Sequence, residues 1–167
     1  MRSLVLIAHN LRSAHNIGSL LRTAEGLGVD KVYLTGYTPY PSSPDDNRLP
    51  HISHKVNRQI IKTSLNAEKT IDWQHVSNVS KPLNDLKRNG FSIVALEQSE
   101  QAVQLPIYFP PDKLALIVGR EVGGIEKQIL DRCDQIVEIP MIGQKESFNV
   151  VQAAAMALYT FRFCDSK

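Results

Sequence analysis

The sequence predicts an α/β fold, a parallel sheet with helices on both faces, and three observations predict it. Short runs rich in Val, Ile and Leu are apolar on consecutive rather than alternate positions, as in strands buried on both faces. Between them lie segments whose apolar residues recur at helical spacing. Strand and helix patterns then alternate along the chain, the order in which ligands bind at the carboxyl ends of the strands. With 167 residues, 43% of them apolar, a single domain over 1–167 is expected.

The first strand run covers residues 4–8. Ile17, Leu20, Leu21, Ala24 and Leu27 then predict a helix from about residue 16 to 27, with Gly28 as its C-terminal cap. A second strand run follows at 31–35, and four prolines between 36 and 50, with Asp45-Asp46-Asn47, predict a long loop. From Asn47 to Ala67 no acidic residue occurs, while Arg48, Lys55, Arg58 and Lys62 are present with His51 and His54. This local basic excess reads equally as a solvated face or as a contact for RNA phosphates. Further on, 83–88 reads as a short helix, 91–97 and 114–119 as strands, and Ile125, Ile129 and Leu130 as a helix. A strand at 135–140 and an Ala-rich helix at 150–163 complete the pattern.

Composition excludes several classes. Nineteen Lys plus Arg against 17 Asp plus Glu leave a formal charge of +2, far from a histone-like or disordered tail. No apolar run approaches the roughly 20 residues of a bilayer crossing. After Met1-Arg2 there is no long apolar region and no small-residue cleavage site, so a cytoplasmic location is expected. Cys133 and Cys164 form no CxxC, which suggests two partly buried thiols rather than a disulfide or a zinc cluster. No metal is expected, because His51 and His54 lack a partner cluster.

Three polar clusters stand at strand ends. In the first, Asn10, Arg12, Asn16 and Arg22 place amides and guanidinium groups at a helix start, where they suit a phosphate or a developing oxyanion. In the second, Gly119-Arg120-Glu121-Val122-Gly123-Gly124 joins a strand to a helix. Its glycines are read either as a tight turn or as close approach to a ligand. Neither GxGxxG nor GxxxxGK[ST] occurs, so nucleotide hydrolysis and a dinucleotide-binding Rossmann domain have no support. In the third, Ser147 and Asn149 precede a helix that either could cap. A hydroxyl nucleophile is the poorer reading, since GxSxG is absent.

Taken together, NLRSAHNIGSLLRTAE (10–25), LIVGREVGGI (116–125) and IPMIGQKESFNVVQAAAMAL (139–158) resemble, in order, motifs one, two and three of the SpoU (TrmH-like) branch of the SPOUT RNA methyltransferases. The resemblance spans nearly the whole chain. It implies a Rossmann-like SPOUT fold with a deep trefoil knot near the C-terminus. It implies 2'-O-ribose methylation of tRNA, or less readily rRNA, with S-adenosyl-L-methionine, in a homodimer whose active site both subunits complete. By position, Asn16 and Arg22 match the motif-one Asn and the Arg regarded as catalytic; Glu121 matches the motif-two acid, and Ser147 and Asn149 the motif-three polar pair. Leu96, Gly119, Ile139, Met141 and Ser147 occupy the cofactor-binding places. Ser13-Ala14-His15 replaces the usual Asn-Pro, Arg120 an Asn, and Phe148 a Leu; these departures bear on the substrate rather than the reaction. The alternative from another class is a catalytically silent RNA-binding protein that keeps the knot.

Such a transfer requires alignment of a 2'-oxygen and management of its proton, with no metal or covalent intermediate. Because a guanidinium stays protonated, Arg22 is expected to stabilise negative charge or orient a phosphate rather than abstract a proton.

Overall fold

The structure, a computed structural model, describes residues 1–44 and 46–163. Ser3–His9 (β1) is followed by Ala14–Gly26 (α1), Lys31–Thr35 (β2), Pro50–Ser64 (α2), Ala67–Thr70 (α3) and Trp73–Val76 (β3). The second half runs Ser80–Arg88 (α4), Ser92–Leu96 (β4), Val103–Gln104 (β5), a 3-10 turn at Leu105–Ile107, Lys113–Val118 (β6), Lys127–Leu130 (α5), Gln135–Glu138 (β7) and Val150–Phe163 (α6). The strands form one sheet in the order β3-β2-β1-β6-β4-β7-β5, parallel throughout. In the half that holds β4 to β7, spatial order departs from chain order, consistent with the chain-crossing C-terminal half that the resemblance implies.

The consecutive apolar pattern has its cause in two cores. Leu4, Leu6, Leu114 and Leu116 face α1 and α6, while Val5, Ile7, Ala115 and Ile117 face Leu83, Leu86 and Ile129 of α4 and α5. α1 begins two residues earlier than its apolar spacing predicts, because the Ser13 hydroxyl accepts the Asn16 N–H at 3.2 Å. It ends as expected: Gly28 at φ 64 lets its own N–H and that of Val29 reach the carbonyls of Glu25 and Ala24 at 3.0 and 2.9 Å. α5 is one turn, shorter than the spacing of Ile125, Ile129 and Leu130 suggests.

The described residues of the proline-rich stretch before α2, 36–44 and 46–49, form a loop. Arg48 donates to Asp46, Tyr40 O and Pro41 O, and its guanidinium lies 3.6 Å from the centroid of the Tyr40 ring, on which His75 also stacks at 4.0 Å. The Arg48 guanidinium beside Asp46 holds that carboxyl far below the usual carboxylate range, and Ser53 at the start of α2 also donates to it. Arg48 is therefore spent inside the loop and does not belong to the free basic set.

At the other end of the chain, Arg162 donates to Leu27 O at 2.9 Å, to Arg2 O at 2.6 Å and to Gly28 O. Arg2 in turn donates to Phe161 O at 3.1 Å, so the end of α6 and the start of β1 clasp each other. Among the described residues no helix is long and apolar enough to cross a membrane. Cys133 is half-buried, with its thiol pushed up to about 11 by burial, and Cys164 lies outside the described residues.

Candidate active site

A cavity of about 460 Å³ opens at the carboxyl ends of β6, β4 and β7, which are neighbours in the sheet. Leu96 leaves β4 into it, Gly119 to Glu121 follow β6, Ile139 and Met141 follow β7, and Ser147, Asn149 and Val150 lead into α6. All five residues assigned to the cofactor thus share one wall system, and the volume is that of a small-molecule site.

The glycine loop is shaped by its own return. A Cβ on Gly119 would lie 2.5 Å from Ile125 Cγ1 and 2.9 Å from Gly124 C and Ile125 N. Gly123 and Gly124 have φ 86 and 59, and Arg120 bridges back to Gly124. The tight-turn reading therefore holds, and it is the turn that lays the loop along the cavity. Sequence reasoning missed the residue that secures it: Glu97, just past β4, accepts the Ile125 N–H at 2.9 Å and the Gln98 N–H at 3.1 Å. Gln98 then donates to Glu146 O at 2.7 Å, tying the loop after β4 to the approach to α6. Glu97 was legible in principle, since ligand-facing groups gather at strand ends.

Asn16 on the first turn of α1 donates to Glu121 at 3.1 Å, so motifs one and two meet there. A smaller cavity beside this contact is lined by Arg12, Ser13, Arg120, Glu121 and Val122. Ser147 is exposed on the cavity wall; Asn149 lines the cavity too, and its side chain accepts the Val151 N–H at 2.9 Å, so it caps α6. Arg22 is not brought into this group. Six residues beyond Asn16, it lies about 9 Å further along α1 and about 120° around it. It is exposed, lines neither cavity and makes no hydrogen bond or ion pair with a described residue.

Beneath the loop lies a polar cluster built on the buried His9 and Thr35 and the half-buried Asn10, Arg120 and Glu126. Asn10, at φ 56, accepts the Tyr37 N–H at 3.2 Å through Oδ1. Its Nδ2 therefore faces His9 Nε2 at 3.0 Å, which must be the unprotonated nitrogen, and Nδ1–H donates to Thr35 Oγ1 at 2.8 Å. Asn10 Nδ2 also reaches Glu126 Oε1 at 3.2 Å, and Arg120 lies 3.4 Å from the same oxygen. Burial holds the His9 imidazole below its ordinary pKa, against the opposing pull of Glu126. Burial would raise Glu126, but its own backbone N–H, Asn10, His9 and Arg120 together hold it below the ordinary value. Its Oε2, 3.3 Å from His9 Nε2, has no hydrogen bond among the described residues. Among those residues no three His, Cys, Asp or Glu side chains converge as a metal set.

The model of the SpoU rRNA Methylase family matches residues 3–159, which include both halves of the cavity. The chain belongs to the SpoU rRNA methylase family. Among curated relatives, the 23S rRNA (guanosine-2'-O-)-methyltransferase RlmB of Neisseria meningitidis serogroup B is 32% identical over 93% of this chain and 56% of its own length. This SpoU chain spans 56% to 57% of the length of the curated relatives it matches. A solved structure concerned with 2-OH methylation of C/U34 on tRNA shares the fold at TM-score 0.77 and 22% identity, covering 96% of this chain and 94% of that one. The SpoU methyltransferase AviRb of Streptomyces viridochromogenes in complex with AdoMet shares it at TM-score 0.75 and 20% identity, over 96% and 57%. Both likenesses bear on the SPOUT fold of this SpoU chain.

Proposed function

We propose that this chain is an S-adenosylmethionine-dependent RNA 2'-O-ribose methyltransferase that acts on tRNA in preference to rRNA, as a homodimer. The observation that carries the reading is the single cavity lined by Leu96, Gly119, Ile139, Met141 and Ser147, the positions that match the family's cofactor-binding places. The cavity also suits the cofactor chemically, with apolar walls from Val118, Ile139 and Met141 and carboxylates from Glu97, Glu138 and Glu146 to complement a cation. When bound, S-adenosylmethionine supplies an electrophilic methyl group on a sulfonium.

The roles of the side chains follow from their placement. Asn16 steadies Glu121, and this pair with Ser147 and Asn149 orients the ribose hydroxyl at the cavity mouth. Arg22, outside the cavity of its own chain, serves the cavity of a second copy, where its fixed charge stabilises a developing oxyanion or holds a phosphate. The test is incubation of the protein with methyl-labelled cofactor and bulk tRNA or rRNA, followed by mass-spectrometric mapping of modified nucleotides. Label at a ribose 2'-oxygen of tRNA is expected; label on a base, or no cofactor binding at millimolar concentration, would refute the reading.

A further inference from the structure

The cavity accounts for a methyl donor but provides no extended grip on a polyanion, and α2 carries a feature that the methyltransferase reading leaves unused. His51, His54, Lys55, Arg58 and Lys62 fall within a stripe about 100° wide on this helix and about 16 Å long. The stripe lies opposite Val56, Ile60 and Ser64, which turn inward against the rest of the protein. All five side chains are exposed, and none forms an ion pair or hydrogen bond with a described residue. Several basic side chains elsewhere do meet carboxylates: Lys31 pairs with Asp72, Arg48 with Asp46, Lys87 with Asp134, and Arg88 with Asp85.

Two features of α2 set it apart from an ordinary solvated helix, which mixes both signs of charge. Its fifteen residues include no Asp or Glu, even in the first turn, where the helix dipole favours them. The pairs Lys55/Arg58 and Arg58/Lys62 sit at i,i+3 and i,i+4, where like charges destabilise a helix. The helix itself is seated against an element of the site. Thr63 Oγ1 donates to His15 O at 2.8 Å, and α2 approaches so closely that a Cβ on Gly18 would lie 2.2 Å from Ile60 O. The helix that carries the stripe is thus packed against α1, whose first turn holds Asn16 beside Glu121.

We infer that the Lys55, Arg58 and Lys62 stripe of α2, flanked by His51 and His54, is a phosphate track that leads an RNA strand to the reaction cavity. This inference rests on the proposal that RNA is the substrate. The contacts are to the backbone and so position RNA without reading its sequence.

The test compares the wild type with Lys55→Ala/Arg58→Ala/Lys62→Ala and with a control, Lys69→Ala/Lys81→Ala, that removes exposed lysines of α3 and α4. Binding of bulk tRNA is measured by anisotropy across a range of KCl, with polyglutamate and phosphatidylserine vesicles as competing polyanions. The triple variant should lower the slope of log affinity against log salt by about 2, given roughly 0.7 per phosphate released from a single strand. Its cofactor affinity and melting temperature should match the wild type, its single-turnover rate should recover at saturating RNA, and the control should keep the full slope. An unchanged slope in the triple variant, an equal fall in the control, or a loss confined to polyglutamate or vesicles would overturn the inference. The two readings fail separately: wild-type protein that binds RNA through the stripe but transfers no methyl group refutes the activity, whereas active protein with an unchanged slope in the triple variant refutes the track.

Discussion

Replacing Gly119 tests the cavity through its most constrained backbone. The added Cβ would lie 2.5 Å from Ile125 Cγ1 and 2.9 Å from two backbone atoms. Carbon contacts settle near 3.5 to 4.0 Å, so the returning strand of the loop must give by about 1 Å. A shift of that size breaks the 2.9 Å bond from Ile125 N–H to Glu97 and lets the loop leave the cavity wall. Overpacking of this kind costs about 1 to 3 kcal/mol. If most of it falls on the cavity wall, cofactor affinity drops on the order of 10- to 100-fold for Gly119→Ala and further for Gly119→Val. Trimming the side chain with Ile125→Ala should restore little, because two of the three close atoms belong to the main chain. Calorimetric titration with S-adenosylhomocysteine, alongside thermal melts, measures both effects. Gly119→Val with wild-type affinity, or full rescue by Ile125→Ala, would refute the geometry assigned to the loop.

Arg22→Ala should leave cofactor affinity and melting temperature unchanged while slowing single-turnover methyl transfer on the order of 100-fold; a normal rate would remove Arg22 from the reaction. Light scattering at micromolar concentration should show a dimer, with α1 and the exposed Tyr159 and Phe163 of α6 in its interface; a species of 18.7 kDa alone would refute this. Because burial holds folded His9 below the 6.5 of the free imidazole, the unfolded chain binds its proton first as pH falls. The stability contributed is present above pH 6.5 and lost as pH drops toward the folded value, so melting temperature should fall between pH 7 and 5. In His9→Gln that limb should flatten, and identical pH profiles would show that His9 does not set it.

Much of this fold was written in residues that act alone. Consecutive apolar runs marked β1, β2, β4, β6 and β7 because both sheet faces are covered, and α6 was legible over its described residues. α2 was not, because its buried face holds Ser53, Ile60 and Ser64 rather than a stripe of large apolar residues. Small residues let it approach Gly18 closely, a packing device that periodicity does not register. β3 and β5 lie at the two edges of the sheet and lack the fully apolar signature. The cavity walls were legible from motif resemblance, whereas Glu97 and the His9, Asn10 and Glu126 cluster depend on contacts between residues 28 to 117 positions apart. The basic segment was visible as composition, but the division between Arg48, which is locked in its loop, and the free cations of α2 required coordinates.

The clasp between Arg162 and the carbonyls of Arg2, Leu27 and Gly28 bears on the order in which the molecule can be made. One end of α6 supplies Val150 and Ala153 to the cavity, and the other is anchored to elements synthesised more than 130 residues earlier. On a ribosome, β1 and α1 are made long before residue 162, so these three bonds form only after it has left the exit tunnel. The α6 wall of the cavity, Val150 and Ala153, therefore belongs to a helix whose far end is fixed only when residue 162 meets the start of the chain.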